Sequence, residues 1–187
     1  MYQLIVFAPL LGAAIAGLTG TRFGRQILPE KLSMVITTGL LFFAAILSWM
    51  AFVKIGFGEA KDITVPLFRW MDVGAMEAGW ALKIDTLTAV MLVVVNSVSA
   101  LVHLYSWGYM SDDGYKPRFF AYLSLFTFAM LMLVTSDNFI QLFFGWEGVG
   151  LASYLLIGYY YKKPTANAAA IKAFVTNRVG DVGLALG

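Results

Sequence analysis

Apolar residues run along the chain in six long stretches, each closed by a polar interval. A helix needs about 20 predominantly apolar residues to cross a hydrocarbon layer ~30 Å thick. The pattern predicts spans at residues 2–20, 32–55, 85–110, 118–135, 138–161 and 167–187. Inside a bilayer a helix satisfies its own backbone groups, so the expected fold is all-α, a polytopic transmembrane helix bundle filling residues 1–187. The first span carries Gly12, Ala16 and Gly20 at fourfold spacing, a stripe that lets another backbone come close.

The second interval, Gly56 to Ile84, breaks the helical pattern. Ile63 to Trp70 and Trp80 to Ile84 are strand-like and separated by Asp72, Gly74 and Gly79, which predicts a β-hairpin on the outer surface. It serves either as a docking surface for a neighbouring subunit or as a lid over helix ends, and the lid is the preferred reading.

Charge sets the orientation. The first, third and fifth intervals hold Arg22, Arg25, Lys31, Lys116, Arg118, Lys162 and Lys163. Basic residues in short loops stay on the cytoplasmic side. The second interval mixes Lys61, Arg69 and Lys83 with Glu59, Asp62, Asp72 and Glu77, with Asp85 at its edge, so the N-terminus is expected outside. The aromatic residues Trp107, Tyr109, Tyr115, Tyr122 and Tyr159 to Tyr161 gather toward the cytoplasmic boundary and form an interfacial belt rather than a cofactor pocket.

Composition then excludes whole classes. Of 187 residues 60% are hydrophobic and 13% charged, with a net charge of +2, so no basic patch exists to grip nucleic acid. With no cysteine and a single histidine, the chain has no disulfide framework, thiolate metal site or iron–sulfur ligation, hence no evident redox centre. No phosphate-cradling loop, nucleophile elbow or paired helical histidines are present. The N-terminus enters its apolar run with no basic residue ahead of it, unlike a signal peptide, so the first helix should be retained. The last span stops without a polar exit, as if the polypeptide were cut short.

The candidate chemistry lies in charges at membrane depth, where an ionisable side chain is costly and marks function by default. Glu147 falls about 14 Å inside its span, and Arg178 and Asp181 about 16 Å and 21 Å inside theirs, at ~1.5 Å per residue. Arg178 and Asp181, three apart, share a helix face and can neutralise one another. Glu147 has only Phe143, Phe144, Gly150 and Leu151 at helical spacing, so it finds a partner on another helix or stays protonated. Desolvation favours the neutral form of a carboxyl group and a nearby cation favours the charged form, so a moving cation decides whether the proton is held. Inert burial is the alternative, although Gln or Leu would fill the space at lower cost. Gly145, Gly148 and Gly150 leave room for water or a helix irregularity, or serve close packing.

Lys172, about 8 Å inside its helix, either snorkels to the headgroups or belongs to a solvated helix end. His103, about 27 Å along the third span, lies near the cytoplasmic end. There it either passes protons between water and the interior or acts as a capping, interfacial side chain.

The run Phe143-Phe-Gly-Trp-Glu-Gly-Val-Gly-Leu-Ala-Ser-Tyr, with Asn177-Arg-Val-Gly-Asp181, closely resembles one family: the L subunit of bacterial respiratory complex I, the proton-translocating NADH:quinone oxidoreductase, related to mitochondrial subunit 5. His103-Leu-Tyr-Ser-Trp-Gly-Tyr-Met110 and Lys83-Ile-Asp-Thr-Leu-Thr-Ala89 add to the likeness, which covers all six spans. The resemblance maps the family's fifth-helix glutamate onto Glu147 and its sixth-helix aspartate onto Asp181, with Arg178 in the same motif. It implies a proton-translocating role in a bacterial inner membrane beside other membrane-arm subunits, especially a neighbouring antiporter-like one. NADH, FMN, iron–sulfur clusters and quinone are then expected in partner subunits and no cofactor in this chain. Family members are far longer, and the seventh-helix lysine that pairs with the glutamate is absent here. A subunit of a multisubunit sodium/proton antiporter and a non-transporting structural subunit remain as alternatives.

Overall fold

The membrane pattern is carried by α1 (Tyr2–Gly20), α2 (Glu30–Gly56), α3 (Thr86–Tyr109), α4 (Lys116–Val134) and α5 (Phe139–Ile157), the last running on through a 3₁₀ turn at Gly158–Tyr160. In this computed structural model, which describes residues 1–20, 28–58, 62–74 and 76–187, these five helices are long and apolar enough to cross a membrane. The sixth expected span is also a helix, α6 (Pro164–Leu186), and its 23 residues suffice in length. It falls outside that apolar set because Lys172, Arg178 and Asp181 interrupt it. Arg22, Arg25, Glu59 and Lys61, which entered the charge argument, lie outside the described residues.

Helix starts follow local chemistry. The Asp85 carboxylate accepts the Thr88 N–H at 2.7 Å and caps α3, and Asn138 does the same for α5 through Gln141 N–H at 2.9 Å. Prolines in the first turns of α4 and α6 sit where a missing N–H is harmless. Helix α6 therefore begins at Pro164, before the expected Asn167. The Thr88 N–H, foremost, holds the Asp85 carboxyl below its ordinary value. Its contribution is present above the unfolded value and is lost as pH falls through the lower folded one. Asp85→Ala is expected to cost about 1 kcal/mol, read as a lower melting temperature of the purified assembly at neutral pH, with the difference from wild type shrinking in acid.

The predicted hairpin is present and longer than expected. β1 (Ile63–Val73) and β2 (Met76–Ile84) pair antiparallel from Ile63 opposite Ile84 to Val73 opposite Met76. Gly74 turns the chain at φ +63°, a conformation most side chains avoid. The β2 end lies on the bundle as a lid. Leu82 and Ile84 are fully buried with Ile5, Val6, Leu92, Leu131 and Met132. Lys83 N–H donates to Thr135 O at 2.9 Å, Ala81 N–H to Gln141 Oε1 at 3.2 Å, and Asn138 Nδ2 to Gly79 O at 2.7 Å.

Below the lid α1 packs against α2 and α4, α2 against α3, and α4 against α5, while α6 rests on α5 and the 3₁₀ turn at the edge. The small-residue stripe does pack helices: a Cβ on Gly12 would stand 3.5 Å from Thr37 Cα, and Ala16 is buried.

Candidate intramembrane ionic site

Helix α5 turns two glycines to α4. A Cβ on Gly145 would lie 2.6 Å from Leu133 N, and one on Gly148 3.1 Å from Ala129 Cβ, so these glycines bring α5 tightly against α4. The helix stays regular over Phe139–Ile157, and close packing accounts for both residues. Glu147 points elsewhere, toward α6.

The two helices run in opposite directions. Glu147 is about 12 Å along α5 from Phe139, and Arg178 about 21 Å along α6 from Pro164, at ~1.5 Å per residue. Opposed helices of this length bring those positions to one level. Arg178 Nη1 donates to Glu147 Oε2 and, at 3.2 Å, to Asp181 Oδ2. Trp146 Nε1 donates to the other oxygen, Asp181 Oδ1, at 2.8 Å. The pairing expected between Arg178 and Asp181 is present, but the same guanidinium also holds Glu147, because Nη1 carries two N–H donors and serves both acceptors. Phe174 lies under that guanidinium, 4.5 Å from its ring centroid.

The group faces a cleft of about 440 Å³ that Phe126, Met130 and Asn177 help to line. Asp181 is buried, whereas the Arg178 and Glu147 side chains are 45% and 22% exposed. The cleft thus opens on the uncovered side of the α5/α6 pair. Two carboxylates here share one guanidinium, so with both ionised the site holds a negative charge in excess.

His103 lies in the last two turns of α3, toward the end where it was expected. It is fully buried between α3 and α4, with Nδ1 2.9 Å from Ser99 O and Nε2 3.1 Å from Ser124 Oγ. A carbonyl oxygen only accepts, so Nδ1 carries the proton, and in the neutral ring Nε2 accepts from the Ser124 hydroxyl. The capping or interfacial reading is overturned, because packing against Phe120 and Ser124 closes the ring off from solvent. Lys172 is exposed on α6 and has no bond to the ionic group.

Two contributors escaped the sequence reading. Trp146 was visible only as a neighbour of Glu147, since nothing along the chain says which helix its indole meets. Ser124 left a weak signal, a hydroxyl within an apolar span.

This architecture, apolar helices holding opposed charges on neighbouring spans, is that of a multi-pass membrane protein with an ionic site between two of its helices. Residues 136–187 match the family model described as NADH:quinone oxidoreductase/Mrp antiporter, TM, and residues 70–120 match the one described as NADH-Ubiquinone oxidoreductase (complex I), chain 5 N-terminus. The chain is 60% identical over its whole length to NADH-quinone oxidoreductase subunit L of Rhodobacter capsulatus, covering 26% of that protein. It is 53% identical over its whole length to NADH-ubiquinone oxidoreductase chain 5 of Arabidopsis thaliana, covering 27% of it. The chain belongs to this complex I subunit L and chain 5 family, and spans about a quarter of the length of the curated relatives it matches. A solved structure of the membrane-bound sulfane sulfur reductase, an archaeal respiratory membrane complex, shares the fold, with a TM-score of 0.75 at 18% identity over 97% of this chain and 34% of that one.

Proposed function

We propose that this chain takes part in proton translocation across a bacterial inner membrane, within the membrane arm of complex I, driven by NADH oxidation and quinone reduction in partner subunits. The observation that carries this reading is the unequal charge count around Arg178: two carboxylates, Glu147 and Asp181, face one guanidinium. In a weakly solvated setting the excess negative charge is balanced by a further cation or by a proton. A cation that approaches and withdraws from the open cleft therefore decides whether Glu147 holds its proton.

The magnitudes suit such a device. Swinging a site from about 1% to 99% occupancy needs ~5.5 kcal/mol of bias. Moving a unit charge to within 4 Å supplies about 4 kcal/mol at an effective dielectric of ~20. One mobile cation supplies most of that swing, and desolvation sets its starting point on the protonated side.

In this reading Glu147 carries the proton, Arg178 and Asp181 set its affinity, and His103 offers a neutral hydroxyl-linked relay toward the cytoplasmic ends. Lys172, exposed on the same helix as Arg178 and Asp181, adds a positive charge to α6. The basic residues Lys31, Lys116, Arg118, Lys162 and Lys163 mark the cytoplasmic side, which leaves the N-terminus and hairpin outside. Redox cofactors belong to partner subunits, and a neighbouring antiporter-like subunit and lipids surround the bundle.

Arg178→Gln in the intact assembly tests the proposal. Without the guanidinium one carboxyl keeps its proton throughout, so protons moved per electron should fall sharply at unchanged subunit content, and Arg178→Lys should restore part of the loss. Lost subunit content with an unaltered ratio in the surviving complex would favour a structural role. The family model over residues 136–187 also covers antiporters. An antiporter subunit would instead move protons against sodium with no dependence on NADH oxidation.

A further inference from the structure

At the opposite end of α5 from the hairpin, we infer that the cleft between the start of α4, the 3₁₀ turn and the start of α6 binds the phosphate of an anionic phospholipid. The inference rests on the membrane reading of the apolar helices and not on proton translocation.

Arg118 stands at the centre of two adjoining clefts of about 500 Å³ and 250 Å³. Its guanidinium lies 5.4, 5.0 and 5.1 Å from the ring centroids of Tyr115, Tyr159 and Tyr161. An arginine has five N–H donors. Here one bond is formed, from Nη2 to Tyr159 O at 3.1 Å, while Nε is shut away from solvent without a partner. Among the described residues no carboxylate forms an ion pair with it. Asp113 lines the smaller cleft too and attracts Arg118 electrostatically, but its hydrogen bonds come from Tyr159 Oη and from Tyr115 N–H, each at 2.9 Å, and the three basic side chains of that cleft outnumber it.

An arginine clamped between rings with most of its donors unused is an incomplete anion site. Lys162 and Lys163 line the smaller cleft and add positive charge. The larger cleft is amphipathic in the sense a lipid requires. Below Arg118 its walls are Tyr122, Leu155, Ala170 and Ile171, which suit an acyl chain. The basic rim lies where these helices begin and end, at headgroup depth. Basic pockets between membrane helices on the cytoplasmic side suit anionic headgroups. A free phosphate would meet the same donors but gain nothing from the apolar wall.

The test uses the intact purified assembly, depleted of lipid and retitrated with short-chain phosphatidylglycerol, phosphatidylcholine or inorganic phosphate, with bound lipid counted by native mass spectrometry. Wild type should retain one more phosphatidylglycerol than Arg118→Gln, and affinity at that site should fall about tenfold, the loss of one charge-assisted bond. Because Arg118 also packs, the double variant Lys162→Gln, Lys163→Gln on the exposed loop is the second arm and should weaken the same site. Phosphatidylcholine and inorganic phosphate should fail to compete. Equal phosphatidylglycerol retention in wild type and both variants overturns the proposal, as does displacement of the lipid by inorganic phosphate.

Discussion

Glu147→Gln in the intact complex is expected to lower the protons moved per electron toward the value of an assembly in which this subunit carries none, with subunit content unchanged. The amide matches the carboxyl in size and can still accept from Arg178 Nη1, so packing and the α5/α6 contact survive. It cannot lose or gain a proton near neutral pH. Arg178 keeps Asp181 at 3.2 Å, so no unpaired cation is left behind. The variant therefore separates charge from structure. Asp181→Asn is the milder companion, because Asp181 is held by Trp146 Nε1 at 2.8 Å and only biases Glu147. An undiminished proton ratio in Glu147→Gln would end the carrier role.

Among the described glycines that face a neighbouring helix, Gly145 is where an added methyl, in Gly145→Ala, is expected to disturb assembly most. The new Cβ would stand 2.6 Å and 2.7 Å from the N and Cα of Leu133. Those are backbone atoms and cannot rotate aside, so α4 and α5 must separate. Overpacking typically costs about 1–3 kcal/mol, and here the movement also displaces Glu147 on the next half-turn. Gly148→Ala, at 3.1 Å from the Ala129 side chain, should cost less. Gly39→Ala, with nothing within 4 Å, should be neutral or slightly stabilising, since alanine favours helix by about 1 kcal/mol. Subunit incorporation and melting temperature of the purified complex measure the series. Equal behaviour of Gly145→Ala and Gly39→Ala would show that the close approach of α4 and α5 is not a constraint.

These expectations could be framed only in part from residue order. Helix positions were legible because an apolar run long enough to cross a bilayer leaves little freedom. The hairpin was legible because strand-like segments flank glycines. Glu147, Arg178 and Asp181 stood out because charge within an apolar stretch is expensive. The shared use of Arg178 was not legible, since spacing along α6 shows only the Asp181 neighbour three residues on. The enclosure of His103 was not legible for a related reason: distance along a helix measures depth, but not which helix covers that face.

By itself, then, the sequence determined the membrane-spanning character of the chain, the approximate extent of its helices, the hairpin, and which charges had to be explained. Each follows from a local cost, of apolar surface in water or of charge in hydrocarbon, that no later packing can remove. Only the tertiary structure decided that α5 turns Gly145 and Gly148 to α4 and its carboxyl to α6, that one guanidinium serves two acids, and that Ser124 and Phe120 enclose His103. Those relations depend on how neighbouring helices are rotated about their axes. That rotation is settled by the sum of many contacts between residues far apart along the chain.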